Sequence, residues 1–308
     1  MLLANPRGCC AGVDRAIAVV DQLLDQHGGP VYVRKEIVHN REVVERLRAR
    51  GAVFVEEVDE APEGAILVFS AHGISPEVRR LAKERQLRVV DATCPLVSKV
   101  HYEAIKFAKA GLHVLLIGHA DHDEVVGTMG EIPGQITLVE SAEDVDRISV
   151  PDPDRVAVIT QTTLSVDETR DVMQAVRRRF PNVKTPARDD ICYATQNRQD
   201  AVRALAPECD VMLVVGSHNS SNSLRLQELA EQLGTKAYLV DHPGQVEREW
   251  LTGAHRVGVT AGASSPEQLT QAIVARVREF GEYEISEHGE PEPEIIFTMP
   301  REISRLSS

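Results

Sequence analysis

Three of the five cysteines in this 308-residue chain stand where an extended stretch gives way to a helical pattern. They are Cys10 in PRGCCAGVDRA, Cys94 in VVDATCPLVSKV and Cys192 in DDICYATQNRQ. Most of a domain separates each from the next, so no local finger, knuckle or CxxC unit can form. Three thiolates brought to one point would hold one metal centre and leave a coordination position open. Substrate chemistry takes place at such an open position.

Other side chains could serve the same centre. The run GSHNSSNS (216–223) crowds hydroxyls and amides at a strand-to-helix turn. Ser220, Ser221 and Asn222 there could donate to phosphate oxygens beside free helix-start N–H groups, although plain N-capping explains the same residues. TAGASSP (260–266) reads alike, with Ser264 or Ser265 as cap and Pro266 at the first helical position. His39, His72 and His122 stand at element junctions. Each alone fits a capping or core histidine, and together they suit a diphosphate, because imidazole charge is tunable near neutral pH.

Glu124 lies two residues beyond His122, where a carboxylate could deliver protons or simply favour a first helical turn. His119, Asp121 and His122 in GHADHDE resemble a hydrolytic metal motif but lack the partners of an HExxH helix. Cys9 adjoins Cys10, and Cys209 precedes a core strand as a small apolar filler. Neither GxxxxGK[ST] nor GxGxxG occurs, so nucleotide binding has no motif behind it.

The elements that must position these residues alternate. Strands are expected at 31–33, 66–69, 114–117, 156–159, 211–215, 237–240 and 257–259. Helices are expected at 13–27, 41–50, 95–110, 169–179 and 224–233. Gly28, Gly51, Gly111 and Gly234 are their stops. This βαβα order implies an α/β fold with mostly parallel sheets.

FSAHGISPEVRR, LIGHADHDEVVG, VITQTTLSVDETR, VVGSHNSSNSLRL and VGVTAGASSPEQL share one plan of strand, small polar turn and helix start. Ligands bind at the carboxyl ends of strands in such sheets. Three similar lobes are expected: 1–93 with Cys10, 94–191 with Cys94 and 192–280 with Cys192. An acidic, proline-containing tail, 281–308, is expected to be a partly ordered extension.

Composition narrows the class. Hydrophobic residues are 43% and charged residues 26%, which is globular usage. Aromatics at 4% and a net charge of −13 speak against a nucleic-acid partner. Five cysteines in this length are no disulfide framework. MLLANPRG lacks the basic and apolar regions of a signal peptide, and no apolar run spans a bilayer. The expectation is a cytoplasmic protein with reduced thiols and no membrane partner.

The segments LLANPRGCCAGVDRAI, VYVRKEIVHN, FSAHGIS, VDATCPLVSKVH, LIGHADHDEVVG, TQTTLSVDET, ICYATQNRQ, VVGSHNSSNS and VTAGASSPE together resemble the IspH/LytB family of 4-hydroxy-3-methylbut-2-enyl diphosphate reductases. They keep the family's order across nearly the whole chain.

The resemblance implies three α/β lobes in a trefoil around one [4Fe-4S] cluster, held by Cys10, Cys94 and Cys192 with one open iron. It departs at Cys9, where the family usually has an aromatic residue. The implied reaction is reductive dehydration of the allylic diphosphate to isopentenyl and dimethylallyl diphosphate. It is the last step of the non-mevalonate (methylerythritol phosphate) isoprenoid pathway, and ferredoxin or flavodoxin is the expected electron donor. His39, His72, His122, Ser220, Ser221, Asn222 and Ser264 would hold the diphosphate. Glu124 and Thr162 would lie near the hydroxyl, with Glu124 as proton source. The rival readings are a three-thiolate zinc hydrolase and a non-catalytic iron–sulfur sensor.

Overall fold

Short apolar runs rich in β-branched residues become strands here, and most are followed by an amphipathic helix that packs on a sheet face. The structure, a computed structural model, describes residues 1–306.

In chain order the first elements are β1 (Leu2–Ala4), α1 (Ala11–His27), β2 (Val31–Arg34), α2 (Arg41–Ala49), β3 (Ala52–Val55), β4 (Ile66–Phe69), α3 (Pro76–Glu84), β5 (Arg88–Asp91) and α4 (Pro95–Lys109). Then come β6 (His113–Ile117), α5 (Asp123–Glu131), β7 (Ile136–Val139), α6 (Ala142–Arg147), β8 (Val156–Thr160), α7 (Val166–Arg179) and α8 (Tyr193–Leu205). The last are β9 (Val211–Val215), α9 (Ser221–Gln232), β10 (Lys236–Val240), β11 (Val257–Ala261), α10 (Glu267–Arg278), β12 (Ser286–His288) and α11 (Arg301–Leu306).

Every strand expected from the pattern is present, within a residue or two of its bounds. Those left unread are short or half-polar, such as β5 (RVVD) and β12 (SEH). Helices α7 and α9 begin three residues earlier than their apolar periodicity, because Ser165 and Ser220 cap them.

All strand pairs are parallel, in three sheets with the orders β10-β9-β11-β1-β12, β3-β2-β4-β5 and β7-β6-β8. The interior strands β4, β9 and β11, and β8 at the end of its sheet, are buried along their whole length. They read as unbroken apolar runs because helices cover both faces. In the first sheet one face packs Leu213, Val259 and Ile273, and the other packs Met212, Val214 and Leu226.

The chain divides into two units. The first comprises Met1–Asp14, Val38–Arg46 and Tyr193–Ile296 and contains the sheet centred on β11. The second comprises Arg15–Ile37, Leu47–Cys192 and the chain from Phe297 on, and contains the other two sheets. This partition differs from the continuous lobes 1–93, 94–191, 192–280 and the tail 281–308. The N-terminal β1 inserts between β11 and β12, with Leu3 beside Val259 and Glu287. A three-residue strand carries too little pattern to reveal such a distant partner. The acidic tail supplies β12 and α11.

Candidate active site

Each of the three sheets presents one cysteine in the same way. Cys10 N–H donates to the Ala263 carbonyl at 3.0 Å, two residues past β11. Cys94 N–H donates to Ala71 at 3.0 Å, two residues past β4. Cys192 N–H donates to Thr162 at 3.0 Å, two residues past β8.

Each cysteine also immediately precedes a helix of 13 residues or more: α1, α4 and α8. A thiolate at a helix start is stabilised by the exposed N–H groups and the helix dipole. At Cys10 this is explicit. Burial pushes its thiol up, while the N–H groups of Val13 and Gly12 and the charge of Arg198 pull it down. None of the five cysteines is in a disulfide. The approach to Cys10 needs Gly8, which sits at φ +74° where any Cβ would lie 3.2 Å from the Ser265 carbonyl.

In the second unit the strand ends beside these cysteines carry the acid. Glu124, 2% exposed, lies in the first turn of α5. Its carboxylate accepts from Thr162 N–H at 2.7 Å and from the Thr162 hydroxyl at 2.9 Å. Because Thr162 also binds the Cys192 N–H, carboxylate and cysteine are two links of one chain. Burial pushes the Glu124 carboxyl up to about 7; the two Thr162 bonds pull it down, and nearby Asp190 adds to the rise. Such a group holds and releases a proton near neutral pH.

His122 caps α5, its Nδ1 accepting from Glu124 N–H at 3.2 Å. His72 stands edge-on to it with ring centroids 5.9 Å apart, and its Nδ1 pairs with the Ser70 hydroxyl at 3.3 Å. The two histidines and the acid therefore cluster. His119, Asp121 and His122 form no group with metal-ligand spacing among the described residues, so the hydrolase motif has no support.

The first unit gathers hydroxyls and amides. Ser220 caps α9, accepting from Ser223 N–H at 3.4 Å, so the plain capping reading of GSHNSSNS holds for Ser220. Its hydroxyl also meets Ser264 Oγ at 3.4 Å. Ser264 donates to the His39 carbonyl at 2.9 Å, and Asn219 reaches His39 Nδ1 at 3.5 Å.

Neither Ser264 nor Ser265 caps α10, contrary to expectation. Pro266 is the cap residue, and Ser265 donates to the Val215 carbonyl at 2.8 Å. A hydroxyl turned back to bind a strand end cannot also face its own helix. Ser221 opens α9, and beside it Asn222 is 3% exposed, with neither amide atom in a hydrogen bond. A buried amide without a partner is costly unless a ligand completes it. Gly262 keeps the space tight, since a Cβ there would strike the Ser223 hydroxyl.

Cys209 packs beside the face that holds Met212, and burial pushes its thiol up to about 11, as befits a filler. Asp190 escaped the sequence reading. It is 7% exposed, and its carboxylate accepts from Thr160 N–H at 3.0 Å and from Lys99 at 2.9 Å. The only signal was a DD pair before Cys192.

The fold and these sites define an α/β protein of three parallel sheets, each presenting one cysteine at a helix start. The chain matches the family described as LytB protein over residues 1–278 and belongs to it. It is 56% identical to the 4-hydroxy-3-methylbut-2-enyl diphosphate reductase of Aeromonas hydrophila subsp. hydrophila, covering 99% of both chains. It is 58% identical to the reductase of the same name from Hahella chejuensis, covering 98% of this chain and 96% of that one.

Among solved structures it resembles the E-1-hydroxy-2-methyl-but-2-enyl-4-diphosphate reductase from Plasmodium falciparum. The TM-score is 0.96 at 38% identity, covering 99% and 97% of the two chains. A second solved structure, of (E)-4-hydroxy-3-methyl-but-2-enyl diphosphate reductase, "the terminal enzyme of the non-mevalonate pathway", matches with TM-score 0.65 at 34% identity, covering 90% of this chain and 98% of that one. No helix among the described residues is long and apolar enough to cross a membrane.

Proposed function

We propose that this chain is an iron–sulfur reductase that converts (E)-4-hydroxy-3-methylbut-2-enyl diphosphate to isopentenyl and dimethylallyl diphosphate, closing the non-mevalonate isoprenoid pathway. The observation that carries this reading is the link from Glu124 through Thr162 to Cys192. It ties a carboxyl poised near pH 7 to a helix-start thiol. The balance is simple: the allylic C–O bond breaks, two electrons and two protons enter, and water and a new C–H bond result.

Cys10, Cys94 and Cys192 would hold a [4Fe-4S] cluster with one open iron. Soft thiolates at three helix starts suit iron–sulfur and not a hard cation. Bound there, the cluster supplies electrons and a Lewis-acidic iron.

The chain's own residues supply the rest. His39, His72, His122, Ser220, Ser221, Asn222 and Ser264 would grip the diphosphate, so remote binding energy places the reacting bond. The unpartnered Asn222 amide supports that role. Thr162 would orient the hydroxyl, and Glu124 would give the proton that leaves with it as water. Ferredoxin or flavodoxin would deliver the electrons, in the cytoplasm. The trefoil arrangement of lobes belongs to the same proposal.

The test is iron and acid-labile sulfide on anaerobically purified protein, followed by turnover with a one-electron donor. About four of each per chain, with both products formed, is the expected result. Zinc without sulfide would overturn the reading.

A further inference from the structure

Each cysteine's approach is held by a cation that no motif singled out. Arg198, fully buried, donates to the Gly8 carbonyl at 2.9 and 2.6 Å and to the Cys9 carbonyl at 3.4 Å, just before Cys10. Arg15 donates to the carbonyls of Ala92 at 3.2 Å and Thr93 at 3.1 Å, just before Cys94. Lys99 donates to the carbonyls of Arg188 at 2.8 Å and Asp189 at 2.9 Å, and to the Asp190 carboxylate at 2.9 Å, just before Cys192.

The clamps also follow a chain order. Arg15 lies five residues after Cys10, Lys99 five after Cys94 and Arg198 six after Cys192. The helix that starts at one cysteine therefore carries the cation that holds the approach to the next: α1 for Cys94, α4 for Cys192 and α8 for Cys10. The C-terminal segment secures two of the three. Glu292 pairs with Arg198 at 3.0 Å and accepts from Asn197 at 3.1 Å, and the Thr298 carbonyl accepts from Arg15 at 2.8 Å.

We propose that Arg15, Lys99 and Arg198 are positioning residues for the three cysteines, each fixing the backbone that leads into a thiolate, with Arg198 and Arg15 also placing positive charge near Cys10 and Cys94. The C-terminal segment acts as a strap on two of the clamps. This rests on the iron–sulfur reading above. Rigid carbonyl anchoring presets the thiol geometry, and fixed positive charge favours a centre that gains electrons. Arg198 acts electrostatically on both Cys9 and Cys10, and Cys94 acts on Arg15.

The test uses anaerobic holoenzyme of wild type, Arg198→Gln, Arg198→Lys, Lys99→Met and Glu292→Gln. Lys83→Gln on the exposed face of α3 is the control. Two quantities are read: the rate of iron loss to a chelator and the midpoint potential. Arg198→Gln and Lys99→Met should lose iron about 10–100-fold faster and show a more negative potential. Arg198→Lys should recover the potential more than the retention, because it keeps the charge but not the fork of donors. Glu292→Gln should speed iron loss less than Arg198→Gln does, and should shift the potential slightly positive, because it loosens the clamp while removing a negative charge.

If Arg198→Gln does not fold, Arg198→Lys and Glu292→Gln carry the test. Retention and potential equal to the Lys83→Gln control in every clamp variant would overturn the proposal. Wild-type iron and sulfide content judges the underlying reading separately.

Discussion

The hydroxyl cluster of the first unit and the acid cluster of the second are built from similar strand ends but left in opposite states. Around Ser220, Ser264 and His39 two side-chain pairs are long, Ser220 to Ser264 at 3.4 Å and Asn219 to His39 at 3.5 Å, although Ser264 also donates to the His39 carbonyl at 2.9 Å, and neither atom of the buried Asn222 amide is in a hydrogen bond. Around Glu124 the bonds are short, 2.7 and 2.9 Å, and each carboxylate oxygen already accepts from Thr162. Loose, under-satisfied donors are what an anionic ligand can complete. A tightly held buried carboxyl cannot gain much from a ligand, but its proton is finely placed. One region is built to hold and the other to react.

Variants can break or sharpen that contrast. The largest effect is expected at the three helix-start cysteines. Replacing Cys10, Cys94 or Cys192 by Ser should abolish iron retention and turnover together, whereas Cys9→Ser and Cys209→Ser keep both. Iron assay beside product formation decides this, and loss of iron in Cys9→Ser alone would move the ligand by one position.

Glu124→Gln comes next. It keeps the Thr162 N–H acceptor but no proton to give, so turnover should fall about 10²–10⁴-fold with KM little changed. In the unmodified protein turnover should decline as pH rises through about 7, and this limb should vanish in the variant. A pH profile with the same limb in Glu124→Gln would assign the proton elsewhere.

His72→Asn or His122→Asn should cost turnover at least as much as affinity, because both rings stand against the acid's helix start. Steady-state kinetics with neither parameter moved would separate the histidines from the reaction. Asn222→Ala should raise KM about 10–100-fold, the worth of a hydrogen bond to a charged group. Turnover at saturation should hold, which marks the first unit as a grip.

The smallest effect is on stability. A carboxyl raised from 4.5 to about 7 by folding contributes stability that is fully present below pH 4.5 and lost as pH rises through 7. Glu124→Gln should flatten the unfolding midpoint over that window, read by thermal melts at several pH values.

Much of this was legible in the residues alone. The apolar runs and glycine stops located most strands and several helices, because parallel strands buried on both faces leave an unbroken signal. The three helix-start cysteines, the strand-end histidines and the serines of GSHNSSNS were visible as chemistry-bearing types. Their nine-segment resemblance carried the family and its reaction class.

Other features depended on tertiary contacts. Which helix a serine caps depended on where its hydroxyl could turn, so Ser265 binds the Val215 carbonyl and Pro266 takes the cap. The raised pKa of Glu124 is set by burial working against hydrogen bonds from Thr162, 38 residues away. β1 joined a sheet with β11 and β12 because three residues need partners that only the folded chain brings beside them. The cations Arg15, Lys99 and Arg198 looked like ordinary helix residues in the sequence. Their task is set by carbonyls 77 to 190 residues away, a relation that local pattern does not encode.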